Sequence, residues 1–309
     1  MPVPIPMPKD TEYVCHGVTW ATGDPRLLLA PLPGGPLAYA EIMHQRLGFQ
    51  VTGIGRWCTG RYRFADTVCV EALACPDRAP AEQSGQCARC ASRDDFRFAH
   101  QFQHGGHAPE ALIRYMAQPH WLYVATFADG TTKVGTAAEP RKRSRLDEQG
   151  ALFATYLTKM PDGRAVRQLE DALTRRLQLS QAIRAAAKLK ALACLTDLAT
   201  ARAAHEHHVA RVTDALDDMG VPSMLEAWTP PAEGSLLCTA GRERILYPHD
   251  LREGRHGFTL VSCIGSQFLA VLDHDDAMGY LLDLGMLAGR RITLGRFSSP
   301  GVEVQTTLF

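Results

Sequence analysis

The sequence predicts an α+β protein with β-rich ends and a helical centre, and three observations lead there. Short apolar runs broken by Gly and Pro, such as "RLLLAPLPGGPLAYAEI" and "GFQVTGIGRW", fill the chain to about Phe64 and suit strands and turns. From Arg164 to Met219 there is neither Gly nor Pro, and an Ala, Leu, Arg and Lys-rich amphipathic pattern predicts two or three helices. After "TPPAEG", Thr229 to Gly234, runs such as "FTLVSCIGSQFLAVLD" and "GRRITLGRF" again read as strands between Gly and Asp turns.

The chain therefore divides into a β-rich section at 1–57, a cysteine-bearing segment at 58–95, a central unit at 96–228 and a β-rich section at 235–309. At 309 residues and 46% hydrophobic composition it can bury a substantial core plus smaller modules. Lys and Arg total 33, as do Asp and Glu, so any electrostatic function must come from a local patch and not from a whole-protein field. Prolines interrupt the first ten residues where a signal peptide needs an unbroken apolar run, and no later stretch suits a membrane span, so the expectation is a cytoplasmic protein without membrane contact.

In a reducing compartment clustered cysteines read as metal ligands before they read as disulfides. "CARC" places Cys87 and Cys90 at the spacing that lets two thiolates share one tetrahedral Zn²⁺, and Cys58 and Cys75 supply a second pair, with Cys69 as an alternative ligand. His100, His104 and His107 are further candidates. Four thiolates leave no open position, so this zinc would be structural. Cys15, Cys194, Cys238 and Cys263 stand alone in apolar contexts and are assigned to the core. The run His205 to His208 lacks the spacing of a metalloprotease helix and reads as a polar helix face.

"HAPEALIRYMAQ" predicts a helix stopped by Pro119, and "LYVATFADGTTKVGTA" then predicts a hairpin about Asp129 and Gly130. A two-residue loop puts Tyr123 and Lys133 on opposite faces, whereas a three-residue loop including Thr131 puts Tyr123, Phe127, Lys133 and Gly135 on one. Arg141, Lys142, Arg143 and Arg145 follow at once.

These residues resemble the GIY-YIG nuclease superfamily over roughly residues 120–175. Leu122-Tyr123-Val124 resembles the tyrosine-bearing first strand, and Lys133-Val134-Gly135 the second triplet. Arg145 or Arg143 matches the helix arginine, and Glu170 the glutamate of a later helix. Trp121 stands where the family has its first glycine, and Lys133 where it has its second tyrosine. The cysteine segment with "KVGTA", "RLDEQGA" and a later "LE" is also similar to an uncharacterised bacterial family of unknown function.

The resemblance implies a small antiparallel sheet with flanking helices and metal-dependent cleavage of nucleic acid, DNA or RNA. Glu170 would hold Mg²⁺ or Mn²⁺ and Arg145 would contact phosphate. Tyr123 would orient or deprotonate water, and Lys133 would replace the missing phenol. Two other functions share the same residues: a nucleic-acid-binding module that no longer cuts, and an enzyme whose Arg145 and Lys133 bind a small anionic substrate. Separately, a solvated basic turn, an ordinary Glu170 ion pair with Arg167 and a half-buried strand tyrosine describe each residue singly. Arg290, Arg291 and Arg296 suit either a small nucleic-acid-gripping barrel or a β cap built with the N-terminal strands, and the sparse aromatics favour the cap.

Overall fold

The computed structural model describes residues 11–32, 34–65, 70–82, 85–99, 102, 108–179, 183–195, 198–237, 244–273 and 275–302. Cys69, Cys238, His100, His104 and His107 lie outside them. The described residues form a mixed α+β structure, rich in strands, in three sheets.

The N-terminal strands are β1 (Glu12–Thr19), β2 (Arg26–Pro31), β3 (Ala38–Glu41) and β4 (Arg46–Val51); β5 (Arg61–Phe64) and β6 (Val70–Leu73) follow as a separate hairpin. The cysteine segment adds α1 (Ala88–Ser92), and α2 (Phe96–Ala99) and α3 (Glu110–Met116) lead to the centre. The central elements are β7 (His120–Thr126), β8 (Thr132–Ala138), α4 (Lys142–Asp147), β9 (Phe153–Met160), α5 (Gly163–Leu177), α6 (Ala185–Ala193), α7 (Leu198–Asp218) and β10 (Glu226–Ala227). The last strands are β11 (Arg244–Leu246), β12 (Arg255–Ile264), β13 (Gln267–Leu272), β14 (Asp275–Asp283) and β15 (Arg291–Leu294).

The two β-rich ends share one nine-stranded sheet of order β11-β14-β13-β12-β4-β15-β1-β2-β3. β4 lies between β12 and β15, and β1 between β15 and β2, so the termini interleave. Alternating apolar residues explain the arrangement: Tyr13, Cys15, Leu27, Leu29 and Phe49 bury against Phe258, Leu260, Phe268 and Tyr280 on one face. Just beyond the edge strand β3, Met43 bridges Leu260 of β12 and the His44 N–H donates to the Leu260 carbonyl at 2.9 Å, so the sheet curls back on itself around this core. Arg290 donates to the Gly55 carbonyl at 2.8 Å and Arg291 pairs with Glu12, so both serve the sheet itself.

The central sheet has the order β10-β9-β7-β8 and is antiparallel. One face buries Leu122, Val124 and Val134 under Val166, Leu169 and Leu173 of α5 and Val212 and Leu216 of α7. The other buries Trp121, Tyr123 and Phe127 with Leu146, Tyr156 and Trp228. The hairpin loop has three residues, but its third is Ala128 and not Thr131: the Phe127 N–H donates to the Thr131 carbonyl at 2.9 Å, and Gly130 takes φ +78°. Glycine suits that left-handed position without a Cβ clash. Tyr123 pairs with Gly135 and Ala125 with Lys133, so Tyr123, Lys133 and Gly135 do share a face.

Two assignments change. Cys194 is exposed, whereas Cys15 and Cys263 are buried as expected. His205 belongs to no polar face. It is buried, with Nδ1 3.0 Å from Thr126 Oγ1 and Nε2 2.9 Å from Thr155 Oγ1, and so fastens α7 to β7 and β9. Among the described residues no helix is long and apolar enough to cross a membrane.

Candidate functional site

Cys58, Cys75, Cys87 and Cys90 are all buried, with their sulfurs within 4.8 Å of one another and Cys75 Sγ 3.9 Å from Cys87 Sγ. A tetrahedral zinc with Zn–S bonds of about 2.3 Å requires sulfurs roughly 3.8 Å apart, so this cluster can bind zinc. Backbone N–H groups complete it. Gly60 donates to Cys58 Sγ at 3.3 Å, and the turn after Cys75, with Arg78 at φ +47°, aims the N–H groups of Ala79 and Asp77 at that thiol. Burial raises the Cys75 pKa, but those N–H groups and the neighbouring cysteines bring it below its ordinary value.

The second group forms where β8, α4 and α5 meet. Tyr123 is fully buried, and its ring lies across Gly135 so closely that a Cβ there would stand 2.5 Å from both Cζ and the hydroxyl. Among the described residues no group makes a well-formed hydrogen bond to that hydroxyl, although Arg145 stands close enough to act on it directly. Burial pushes the phenol above its ordinary value; Arg145 pulls against this, and Glu170 adds to it. Gly135→Ala is expected to lose about 1–3 kcal/mol in urea denaturation, because the ring must leave its place.

Arg145 comes from α4, whose Leu146 is buried beneath it. Tyr156 Oη donates to the Lys142 carbonyl at 2.9 Å and Trp228 Nε1 to Asp147 Oδ1 at 3.0 Å, anchoring the helix at both ends. Arg145 is solvent-exposed, yet burial is the first influence on its charge, which describes a guanidinium in a cleft open to water. Tyr123, Glu148 and Glu170 outweigh that burial and hold its pKa above the ordinary value. Arg143 points elsewhere: it is largely exposed, with its nearest carboxylate Asp147 at 3.9 Å. Arg141 is held by Glu148 through contacts of 2.8 and 3.0 Å.

Glu170 stands on α5, which begins at the N-cap Asp162, whose carboxylate accepts the Arg164 and Ala165 N–H groups at 2.8 Å. Val166, Leu169 and Leu173 fix the buried stripe, and Arg167 and Glu170 fall on the flank beside the edge strand β8. Burial pushes the Glu170 carboxyl up to about 7, against Arg167, Lys133 and Arg145. Lys133 is buried and donates to Gln149 Oε1 at 2.5 Å; burial, Arg145 and Lys188 pull it down to about 8.

The structure thus brings Tyr123, Lys133, Arg145 and Glu170 within electrostatic reach of one another and leaves Arg143 exposed outside the group. The four cysteines are, among the described residues, the only group of three or more His, Cys, Asp or Glu side chains close enough to hold a metal. A divalent ion in the cleft would rest on Glu170, water and substrate oxygens, a donor set that suits Mg²⁺. Sequence reasoning missed Gln149, and it counted Lys188 only within a basic excess from Lys133 to Lys190 able to track a phosphate backbone. Lys188 is one of many basic residues along the helical stretch, and nothing in its local pattern sets it apart.

A family model described as "Protein of unknown function (DUF2797)" matches residues 62–230, more than half of the chain. The chain belongs to this family. The match begins in β5, takes in three of the four clustered cysteines and ends just beyond β10, so it contains every residue of the cleft. The nine-stranded sheet lies outside the part matched to the DUF2797 family. No curated protein and no solved structure matches the chain.

Proposed function

We propose that the cleft hydrolyses phosphodiester bonds in nucleic acid as a divergent GIY-YIG-type nuclease, with Mg²⁺ or Mn²⁺ on Glu170 and a structural Zn²⁺ on Cys58, Cys75, Cys87 and Cys90. One observation carries this. A first-strand tyrosine, the glycine opposite it, an arginine on the next helix and a glutamate on a later one converge, with Arg145 and Glu170 both acting on the buried phenol. A cytosolic setting fits, because thiolates stay reduced there and available to zinc.

Phosphodiester hydrolysis needs an oriented water, charge neutralisation at the phosphoryl oxygens and a stabilised leaving oxygen. Arg145, solvent-accessible at the cleft, provides a cation for the phosphoryl group. Tyr123 orients water as a neutral phenol. Its raised pKa argues against the deprotonating role that the sequence left open. Lys133 takes the place of the second tyrosine as a charge beside the developing anion. Glu170 would hold a divalent cation, which when bound would supply Lewis acidity to the phosphoryl oxygens.

The test is incubation of labelled single- and double-stranded DNA and RNA with zinc-loaded protein and Mg²⁺ or Mn²⁺, with EDTA added after zinc loading as the control. Cutting that depends on the divalent ion supports the proposal. Intact substrates in every arm, with folded protein, overturn it. A binding module that no longer cuts is the second function, favoured by Lys133 standing where the resemblance has its second tyrosine. It requires Glu170→Ala to leave oligonucleotide affinity unchanged.

A further inference from the structure

Lys188 is the cation whose position needs explaining. It lies on α6, between the central unit and the nine-stranded sheet. Its helix is held by that sheet: Leu192 is buried against Leu237, Ile264, Leu269 and Leu281, with Leu189 and Ala193 packed around them. From there Lys188 Nζ donates to the Gln149 carbonyl and stands 4.5 Å from the centre of the Phe127 ring.

Gln149 is also fixed by the sheet. Its neighbour Gly150, at φ +69°, meets Gly265 in the turn between β12 and β13 so closely that a Cβ on Gly265 would lie 2.8 Å from the Gly150 nitrogen. Gln149 therefore accepts Lys133 through its side chain and Lys188 through its main chain. Each ammonium has three donors, and one of each is used. No carboxylate of the described residues comes within the 4.0 Å of an ion pair with either lysine. The nearest acidic influences are Glu170 on Lys133 and Asp283 on Lys188, while Arg145 repels both. Two largely desolvated ammonium groups held by one glutamine, with a guanidinium in electrostatic reach of both, suit an anion with several oxygens.

We infer that Lys188, carried to the cleft by the nine-stranded sheet, pairs with Lys133 across Gln149 to bind phosphoryl oxygens of the substrate. This deepens the nuclease proposal and rests on it for the identity of the substrate, but phosphate binding is measurable without cleavage. The sheet then has a part in the site: it sets the position of both Lys188 and the glutamine between the lysines.

The experiment compares wild type, Lys188→Met, Lys188→Arg and an exposed control, Lys190→Met, by calorimetric titration with a nucleoside 5′-monophosphate and with the corresponding nucleoside, which carries no phosphoryl group. Lys188→Met is expected to weaken binding of the phosphorylated probe about tenfold or more. It should also lower the salt slope of binding by about one counterion. Lys188→Arg retains most of the affinity, and neither change affects the unphosphorylated probe. A thermal melt of each variant accompanies the titrations, because a merely structural lysine would lower the melting temperature and leave the phosphate preference intact. Equal preference for phosphate in folded wild type and Lys188→Met overturns the inference, as does wild type that binds both probes equally. Selective loss of phosphate binding in a protein that cuts nothing removes the nuclease proposal and leaves the lysine pair standing.

Discussion

Glu170→Gln is expected to abolish metal-dependent cleavage, a loss of about a thousandfold or more, while the fold persists. In the proposed site this carboxylate would hold the metal, and a bound cation would provide several kcal/mol of transition-state charge stabilisation that a neutral amide does not retain. Stability should move the other way. Burial raises the Glu170 pKa in the folded chain to about 7, against an ordinary 4.5, so between those values the folded state holds more protons than the unfolded one. Without a divalent ion, stability therefore declines as pH rises through that window and remains reduced above it.

Glu170→Gln removes the buried charge. At pH 8 it should be more stable than metal-free wild type, by up to about 3 kcal/mol, and the difference should vanish near pH 4. Because Mg²⁺ must displace the proton, wild-type Mg²⁺ affinity should climb with pH up to about 7 and then level off. Urea denaturation at the two pH values and Mg²⁺ titration by calorimetry measure these effects. A variant that cuts at the wild-type rate, or is less stable than wild type at pH 8, would remove Glu170 from the proposed role.

Cys87→Ser should cost the protein its zinc and the order of the segment around it. Apparent binding energies for structural zinc in small modules are about 10–16 kcal/mol, and the segment from Cys58 to Ser92 has only short elements, β5, β6 and α1, to hold it otherwise. Loss would not stay local. Phe64, at the end of β5, stacks on Tyr115 with ring centroids 4.5 Å apart, and Tyr115 meets His120 at the start of β7, so the disorder reaches the edge of the cleft. Elemental analysis of purified wild type should find one zinc per chain, and Cys87→Ser should have little. Amide exchange should rise from β5 through α3. Cys194→Ser, at an exposed thiol, should change stability by less than about 0.5 kcal/mol. Zinc-free wild type with the same exchange protection as the variant would defeat this expectation.

What the sequence determined by itself is local. Proline and glycine placed the end of α3 and the hairpin turn, helical periodicity gave α5, α6 and α7, and the CxxC spacing of Cys87 and Cys90 marked the cysteine cluster that can hold a metal. Those features depend on residues near one another in the chain, where backbone sterics and side-chain periodicity act directly. The order of Tyr123, Gly135, Arg145 and Glu170 was legible too, because a resemblance is carried by order. Tertiary structure alone set Arg145 beside Tyr123 while Arg143 stayed exposed, buried His205 between two threonines, left Cys194 exposed and joined the termini in one sheet. It also brought Lys188 to Lys133, fifty-five positions away along the chain, through a helix seated on strands from the far end. Such a meeting is set by which apolar faces bury one another across the fold, and no window of sequence contains both faces.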